Sequence, residues 1–270
     1  MDYTGSELYT PPIGGMHTVG TGKLLNMIFV VDVSGSMKAE KRIDAVNEAF
    51  QKMIPALREI QMDSLSEFEL KIAIMTFDQE ARWIVNPTPI LEYNHNDIDC
   101  SQWVTYFSRA FEKLGEKLTR SEFMAHTGKL AQPYIMFMTD GEPTPDDNYG
   151  PKLDELLGNG WFNAAQRFAV LMGKDAINSP AARKAVERFV SDPTEGIINA
   201  ADAAAIAAEV QAKTIHTIQI ATKHIVATGE GEGEGQSSNT GTGESGGAGG
   251  MSPWDEPDWP DFGADSGVFF

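Results

Sequence analysis

Five apolar residues, Met27-Ile28-Phe29-Val30-Val31, run without a polar interruption into Asp32-Val33-Ser34-Gly35-Ser36. An unbroken run of this length, rich in β-branched side chains, is the pattern of a strand covered on both faces, the usual state of a strand inside a parallel sheet. The residues that follow place one carboxylate and two hydroxyls at alternate positions where that strand ends. They form a row of hard oxygen donors, which suits Mg2+ (or Mn2+), whereas Ca2+ more often recruits more ligands, several of them charged. The plain structural alternative is a serine-rich turn in which Asp32 and Ser34 cap the next helix.

A second segment has the same design. Tyr134-Ile135-Met136-Phe137-Met138-Thr139 is a short apolar strand that delivers Asp140 into a loop of Gly141-Glu142-Pro143-Thr144-Pro145-Asp146-Asp147. Neighbouring strands of a parallel sheet point the same way, so Asp32 and Asp140 are expected to converge at its carboxyl edge, where open α/β sheets place their ligands.

Together the two motifs resemble the von Willebrand factor A domain, whose metal-ion-dependent adhesion site joins D-x-S-x-S, a distant threonine and a strand-end T-D-G. The stretch Thr139 to Thr144 resembles the bacterial TerY-type branch of that family, and the resemblance extends over about residues 24 to 222. It implies that Ser34, Ser36 and a threonine bind the cation directly, while Asp32 and Asp140 act directly or through water. The threonine is expected at Thr105. The family commonly sets it after glycines, whereas here it closes Cys100-Ser101-Gln102-Trp103-Val104-Thr105, with Ser101 as a second hydroxyl candidate. Phe107, Ala110, Phe111, Leu114 and Leu118 then follow at helical spacing, which puts Thr105 at or near a helix start. Because such ligands lie on loops, a Ser34→Ala/Asp140→Ala chain is expected to stay folded.

The remaining pattern alternates strands and helices. Ile43, Val46, Phe50, Met53, Ile54, Leu57 and Ile60 mark an amphipathic helix in which Pro55 predicts a kink or break. Leu70 to Phe77 reads as a buried strand, and Ala81 to Val85 as a short edge strand ended by Pro87 and Pro89. Further strands are expected at Phe168 to Met172 and near Ile197-Ile198, with helices over about 181–190 and 202–222. The fold class is therefore α/β, a doubly wound, mostly parallel sheet flanked by helices, Rossmann-like as in von Willebrand factor A domains. The expected organisation is an extended N-terminal arm over 1–23, one domain over 24–228, a flexible Gly/Glu/Ser-rich linker over 229–250 and an acidic aromatic tail over 251–270, with arm and tail disordered. The tail carries Trp254, Trp259 and Phe262 among Asp255, Glu256, Asp258 and Asp261. This mixture suits a docking motif, on another protein or on the chain's own metal face.

Charge restricts the partners. A net charge of -18, half of it from nine acidic residues after Gly229, argues against nucleic acid and against an anionic membrane. The first 23 residues hold no apolar segment behind a basic start, and no apolar run reaches membrane-spanning length, which makes the cytoplasm the default expectation. The one cysteine, Cys100, excludes an internal disulfide and is expected to be inert. Gly20-Thr21-Gly22-Lys23 lacks the glycine spacing of a phosphate loop and precedes a strand, and the five histidines show no zinc-ligand spacing. Glu142, Asp146 and Asp147 are expected on a solvated acidic rim, the alternative for Glu142 being to tune the site from behind its ligands.

The expected function is a metal-dependent protein-interaction module and not an enzyme, in which a partner's Glu or Asp completes the coordination of the cation. The TerY resemblance implies a stress or tellurite-resistance setting with a kinase and a PP2C-type phosphatase as partners. Two alternatives are an exported adhesin-like domain and a Mg2+-dependent phosphotransferase with Asp32 as nucleophile. The second normally needs an acid two residues on, where this chain has Ser34.

Overall fold

The computed structural model describes residues 23–63, 65 and 68–229. The expected arm up to residue 22, nearly all of the linker and the whole aromatic tail lie outside the described residues. Six strands, β1 (Lys23–Asp32), β2 (Phe68–Phe77), β3 (Ala81–Pro89), β4 (Tyr134–Thr139), β5 (Gln166–Met172) and β6 (Ile197–Ala200), form one sheet in the order β3-β2-β1-β4-β5-β6. β3 is antiparallel to β2, and every other pairing is parallel. The expected doubly wound, mostly parallel sheet is thus the observed one.

The apolar run of β1 has two audiences. Leu25, Met27, Phe29 and Val31 face one core, and Leu24, Ile28 and Val30 face the other. Helices cover both sides, so both halves of the alternation are apolar except at Asn26, whose buried amide donates to the Phe123 carbonyl at 2.8 Å. The helices are α1 (Arg42–Asp63), α2 (Phe107–Lys117), α3 (Tyr149–Leu157), α4 (Gly160–Ala164), α5 (Lys174–Asn178), α6 (Pro180–Phe189) and α7 (Ala203–Gly229). Val46, Phe50, Met53 and Leu57 of α1 and Ile206, Val210 and Ile218 of α7 fill the first core. The second core is built around a cluster of phenylalanines. Phe137 of β4 lies 4.9 Å from Phe107 of α2 and 5.1 Å from Phe189 of α6 between ring centroids. Each such ring, fully buried, contributes on the order of 1.5–3 kcal/mol. These contacts clamp the start of α2 onto the sheet, two residues beyond Thr105.

Several expectations need correction. α1 runs through Pro55 without a break. Pro55 lies on the exposed face, as does Gln51 one turn earlier, so the carbonyl that loses its donor can turn to water. β3 continues through Pro87 to Pro89, because an edge strand needs only one side of its backbone for pairing. Its register against β2 is irregular around Ile74. β1 begins at Lys23, earlier than the expected strand, and α7 extends to Gly229. The short helices α3, α4 and α5 were not anticipated. Among the described residues no helix is long and apolar enough to cross a membrane.

The winding direction fixes where a ligand can sit. From β1 the chain moves outward through β2 to β3, then returns to β4 on the opposite side of β1. The reversal leaves a crevice beyond the carboxyl ends of β1 and β4, the switch point at which open sheets bind ligands.

Candidate metal centre

In that crevice the two strand-end acids meet, with Val31 paired to Met138 in register. Asp32 is fully buried, and both its oxygens are engaged. Oδ1 accepts from the Ser34 backbone N–H at 2.8 Å and Oδ2 accepts from the Thr139 hydroxyl at 2.7 Å. Burial pushes its pKa up, the charge of Asp140 adds to this, and the bonds from Ser34 and Thr139 oppose it, leaving a value of about 7. Asp32 is therefore the floor of the site, where it fixes the turn that follows β1.

Above it, the Ser34 and Ser36 hydroxyl oxygens are 3.0 Å apart, and Ser36 Oγ donates to Asp140 Oδ1 at 2.8 Å. Ser34 is buried and Ser36 exposed, so the row leads from the interior to solvent. The other oxygen of Asp140 accepts from Arg42 Nη1 at 2.7 Å, and Arg42 Nη2 donates to Glu40 at 3.1 Å. Burial works to lower the pKa of Arg42, but its bonds to Asp140 and Glu40 outweigh this and raise it. Gly173, at φ 87°, lies directly against the guanidinium, and a Cβ there would come within 2.5 Å of Nη2.

The loop before α2 closes the third side. Ser101 N–H donates to the Val33 carbonyl at 2.7 Å and Gly35 N–H to the Trp103 carbonyl at 3.1 Å. Thr105 is buried, and its carbonyl accepts from both the backbone N–H and the hydroxyl of Thr144, at 3.0 and 2.8 Å. The structure thus interlocks the turn after β1, the loop of Thr105 and the loop after Asp140. Hydrogen bonds join Ser34, Ser36 and Asp140 directly, whereas Thr105 enters the network through its backbone. Ser101 Oγ accepts from Trp103 N–H at 3.1 Å, a local turn contact. Trp103 and Val104 are exposed on this loop.

The acidic rim is partly a misreading. Asp147 is buried and accepts from Ser108 N–H at 3.2 Å, so it caps the first turn of α2. Asp146 accepts from the Tyr106 hydroxyl at 3.0 Å, and Glu142 accepts from the hydroxyl of Ser179, the residue that caps α6. Sequence reasoning also passed over Arg42 and Thr139. Arg42 lies four residues before Val46, on the stripe that α1 buries, and a charge on such a stripe signals a buried partner. Thr139 ends β4, whose other hydroxyl, that of Tyr134, pairs with Thr214 at the opposite end of the strand.

The donor set itself tests whether a cation fits. Among the described residues no three of His, Cys, Asp and Glu assemble as a metal-holding group, so a cation would depend on hydroxyls with few carboxylates. Magnesium at roughly 2.0–2.1 Å from octahedral ligands sets neighbouring ligand oxygens about 2.9 Å apart. The Ser34–Ser36 and Ser36–Asp140 separations of 3.0 and 2.8 Å are of that size. Hydrogen bonds alone give similar spacings, so the fit is one of donor chemistry and convergence together.

Comparison with known proteins agrees with the fold. Residues 27–142, from β1 through the loop of Asp140, match the sequence model of the von Willebrand factor type A domain. The von Willebrand domain of the pilus tip protein Mfa5 from Porphyromonas gingivalis superposes with a TM-score of 0.52 at 12% identity, covering 74% of this chain and 96% of that one. The pilus adhesin SpaC from Lactobacillus rhamnosus GG, in its open conformation, gives 0.52 at 16% identity over 72% of this chain and 30% of that one. Proximal thread matrix protein 1 from the mussel byssus, in a form with a zinc-occupied MIDAS motif, gives 0.50 at 13% identity over 73% and 47%. The chain thus spans less than half the length of the Lactobacillus and mussel proteins, and at these identities the shared property is the fold. No curated protein matches the chain by sequence. Residues 27–142 are thus similar in sequence to that domain, and the described residues share its fold.

Proposed function

We propose that this chain is a divalent-cation-dependent protein-interaction module. Ser34, Ser36, Thr105 and Asp140 hold Mg2+ or Mn2+ at the switch-point crevice, with Asp32 beneath them, and a partner's Asp or Glu side chain completes the coordination. The observation that carries this reading is the continuous row of Ser34 Oγ, Ser36 Oγ and Asp140 Oδ1 at 3.0 and 2.8 Å, leading from a buried to an exposed donor. The bound cation supplies an electrophilic centre that neutral hydroxyls leave under-neutralised. The chain's residues do the rest: Asp32 fixes the backbone of the Ser34 turn, Thr139 orients Asp32, and the contacts of Gly35 with Trp103 hold the third loop in place.

The phosphotransferase alternative is disfavoured by the same geometry. A nucleophilic carboxylate needs a free, accessible oxygen, whereas Asp32 is fully buried and hydrogen-bonded through both. The wider setting belongs to the proposal as well: a TerY-like cytoplasmic regulator associated with a kinase and a PP2C-type phosphatase in stress or tellurite resistance, motivated by Thr139 to Thr144. Cell fractionation tests the compartment, an exported protein favouring the adhesin-like reading.

The central test is calorimetric titration with Mn2+ and Mg2+, then capture of partners with and without EDTA. One cation site is expected, weakened at least tenfold in Ser34→Ala/Ser36→Ala, and partner capture is expected to be lost in EDTA. Undiminished cation binding in that variant, or a partner retained equally in EDTA, refutes the reading.

A further inference from the structure

We infer that Arg42 is a built-in counter-cation of this site: by pairing with Asp140 it leaves the site too poor in negative charge to hold a divalent cation tightly until a partner's carboxylate joins. The inference rests on the cation-site reading above and adds the reason why metal and partner would bind together.

The placement of Arg42 is enforced from three sides. Its side chain is 7% exposed while the Asp140 side chain is fully buried, so the 2.7 Å pair between them is shielded from water. The chain reaches it through two successive non-glycine residues in the left-handed region, Glu40 at φ 52° and Lys41 at φ 57°. Two such residues in a row are costly, and the reversal they make sets Arg42 as the first residue of α1, facing the crevice. On the far side Gly173 leaves room that any side chain would take from the guanidinium.

The charge balance follows. Asp140 has Ser36 on one oxygen and the guanidinium on the other, so its charge is already matched. Asp32 lies below with both oxygens engaged, and Ser34 and Ser36 are neutral. Glu40 offsets Arg42 from the solvent side, where its side chain is 62% exposed and water screens it. A divalent cation beside Asp140 Oδ1 would share one carboxylate with a full positive charge. At a separation of roughly 5 Å, charges of +2 and +1 repel strongly enough, even at the dielectric constant of water, to weaken binding about tenfold. A carboxylate from a partner restores the missing negative charge, which couples the two events.

The test is titration of the full chain with Mn2+ alone, followed by calorimetry, in wild type, Arg42→Gln, Arg42→Lys and Lys38→Gln. Arg42→Gln keeps a hydrogen-bond donor and removes the charge, and is expected to tighten Mn2+ at least tenfold. Arg42→Lys keeps the charge and Lys38→Gln removes an exposed one, and each is expected to stay within threefold of wild type. A natively folded Arg42→Gln that binds no tighter than wild type overturns the inference while leaving the cation site standing. If no form takes up Mn2+, both readings fail. Should Arg42→Gln not fold, the exposed Glu40→Gln decides: threefold or more weakening is expected as Arg42 loses its second partner, and unchanged affinity overturns the assignment.

Discussion

Replacing Asp140 by alanine tests the architecture of the site before any ligand is added. The loop position of Asp140 suggested that the fold would tolerate its loss, but its side chain is fully buried and Arg42, 2.7 Å away, is nearly so. Alanine would leave the guanidinium in the interior with only the exposed Glu40 as a charged partner. Removing one member of a buried pair costs about 3–5 kcal/mol, chiefly because the other charge stays desolvated. Two smaller effects oppose each other: Ser36 loses an acceptor at the surface, and Asp32 is relieved of a neighbouring charge. Against a typical domain stability of about 5–15 kcal/mol the net loss is large.

The assay is urea unfolding followed by circular dichroism in EDTA, so that no cation contributes. With a urea dependence of roughly 1–3 kcal/mol per molar, the midpoint of Asp140→Ala should fall by about 2 M. The double variant Arg42→Met/Asp140→Leu should recover most of that loss, since apolar replacement of a whole buried pair is often near neutral. A loss below about 1 kcal/mol in Asp140→Ala would place the value in the range of an exposed ion pair and refute the account of a shielded one.

Other expectations concern neighbouring groups. Gly173→Ala combines a left-handed φ with a Cβ 2.5 Å from Arg42, and should cost about 1–3 kcal/mol in the same assay, less in an Arg42→Met background. His95 stacks on Phe50 at 4.9 Å, and burial holds its pKa below the ordinary 6.5 in spite of Asp97. Below pH 6.5 the unfolded chain therefore takes up the proton first, so stability should fall as pH drops from 6.5 toward the folded value, and His95→Gln should flatten that slope. Burial pushes the Cys100 thiol up to about 11, with Lys38 opposing and Asp140 and Asp32 adding to the rise. At pH 8 its reaction with a thiol reagent should be about a hundredfold or more slower than that of a free cysteine near pKa 8.5, and a comparable rate would contradict this environment.

Much of the fold was legible because the strands are buried on both faces. An unbroken apolar run such as Met27 to Val31 has few other uses, and parallel pairing then brings Asp32 beside Asp140 by geometry alone. What escaped depends on facts that periodicity does not carry. Pro55 was read as a break, yet its effect depends on which helix face it occupies. Prolines 87 and 89 end a central strand but not an edge strand, and edge position is a property of the whole sheet. α4 and α5 are too short to show a period. In the site, motif spacing pointed to Ser34, Ser36 and Asp140, which hydrogen bonds join, while the buried role of Asp147 required knowing that the loop after β4 packs against the start of α2. Arg42 had a signal, a cation on the buried stripe of α1, but its partner lies 98 residues away in sequence.

The arrangement answers a conflict that the fold creates. A switch point that brings two strand-end carboxylates together in a buried crevice also makes them repel, and burial disfavours the charge of each. Asp32 and Asp140 meet this differently. Asp32, held by one backbone and one hydroxyl donor, has its pKa raised to about 7 by burial and by the charge of Asp140. Asp140 has instead been given a cation of its own in Arg42. The pair of acids is thereby stable in the fold without a metal, and the hydroxyls of Ser34 and Ser36 add donors without adding charge. A site relying on several ionised carboxylates would bind a cation more tightly but would leave those charges unmatched whenever the cation departed. On the proposed reading of this crevice as a cation site, the combination of hydroxyls, a buried acid and an internal guanidinium suits a cation that comes and goes with a partner.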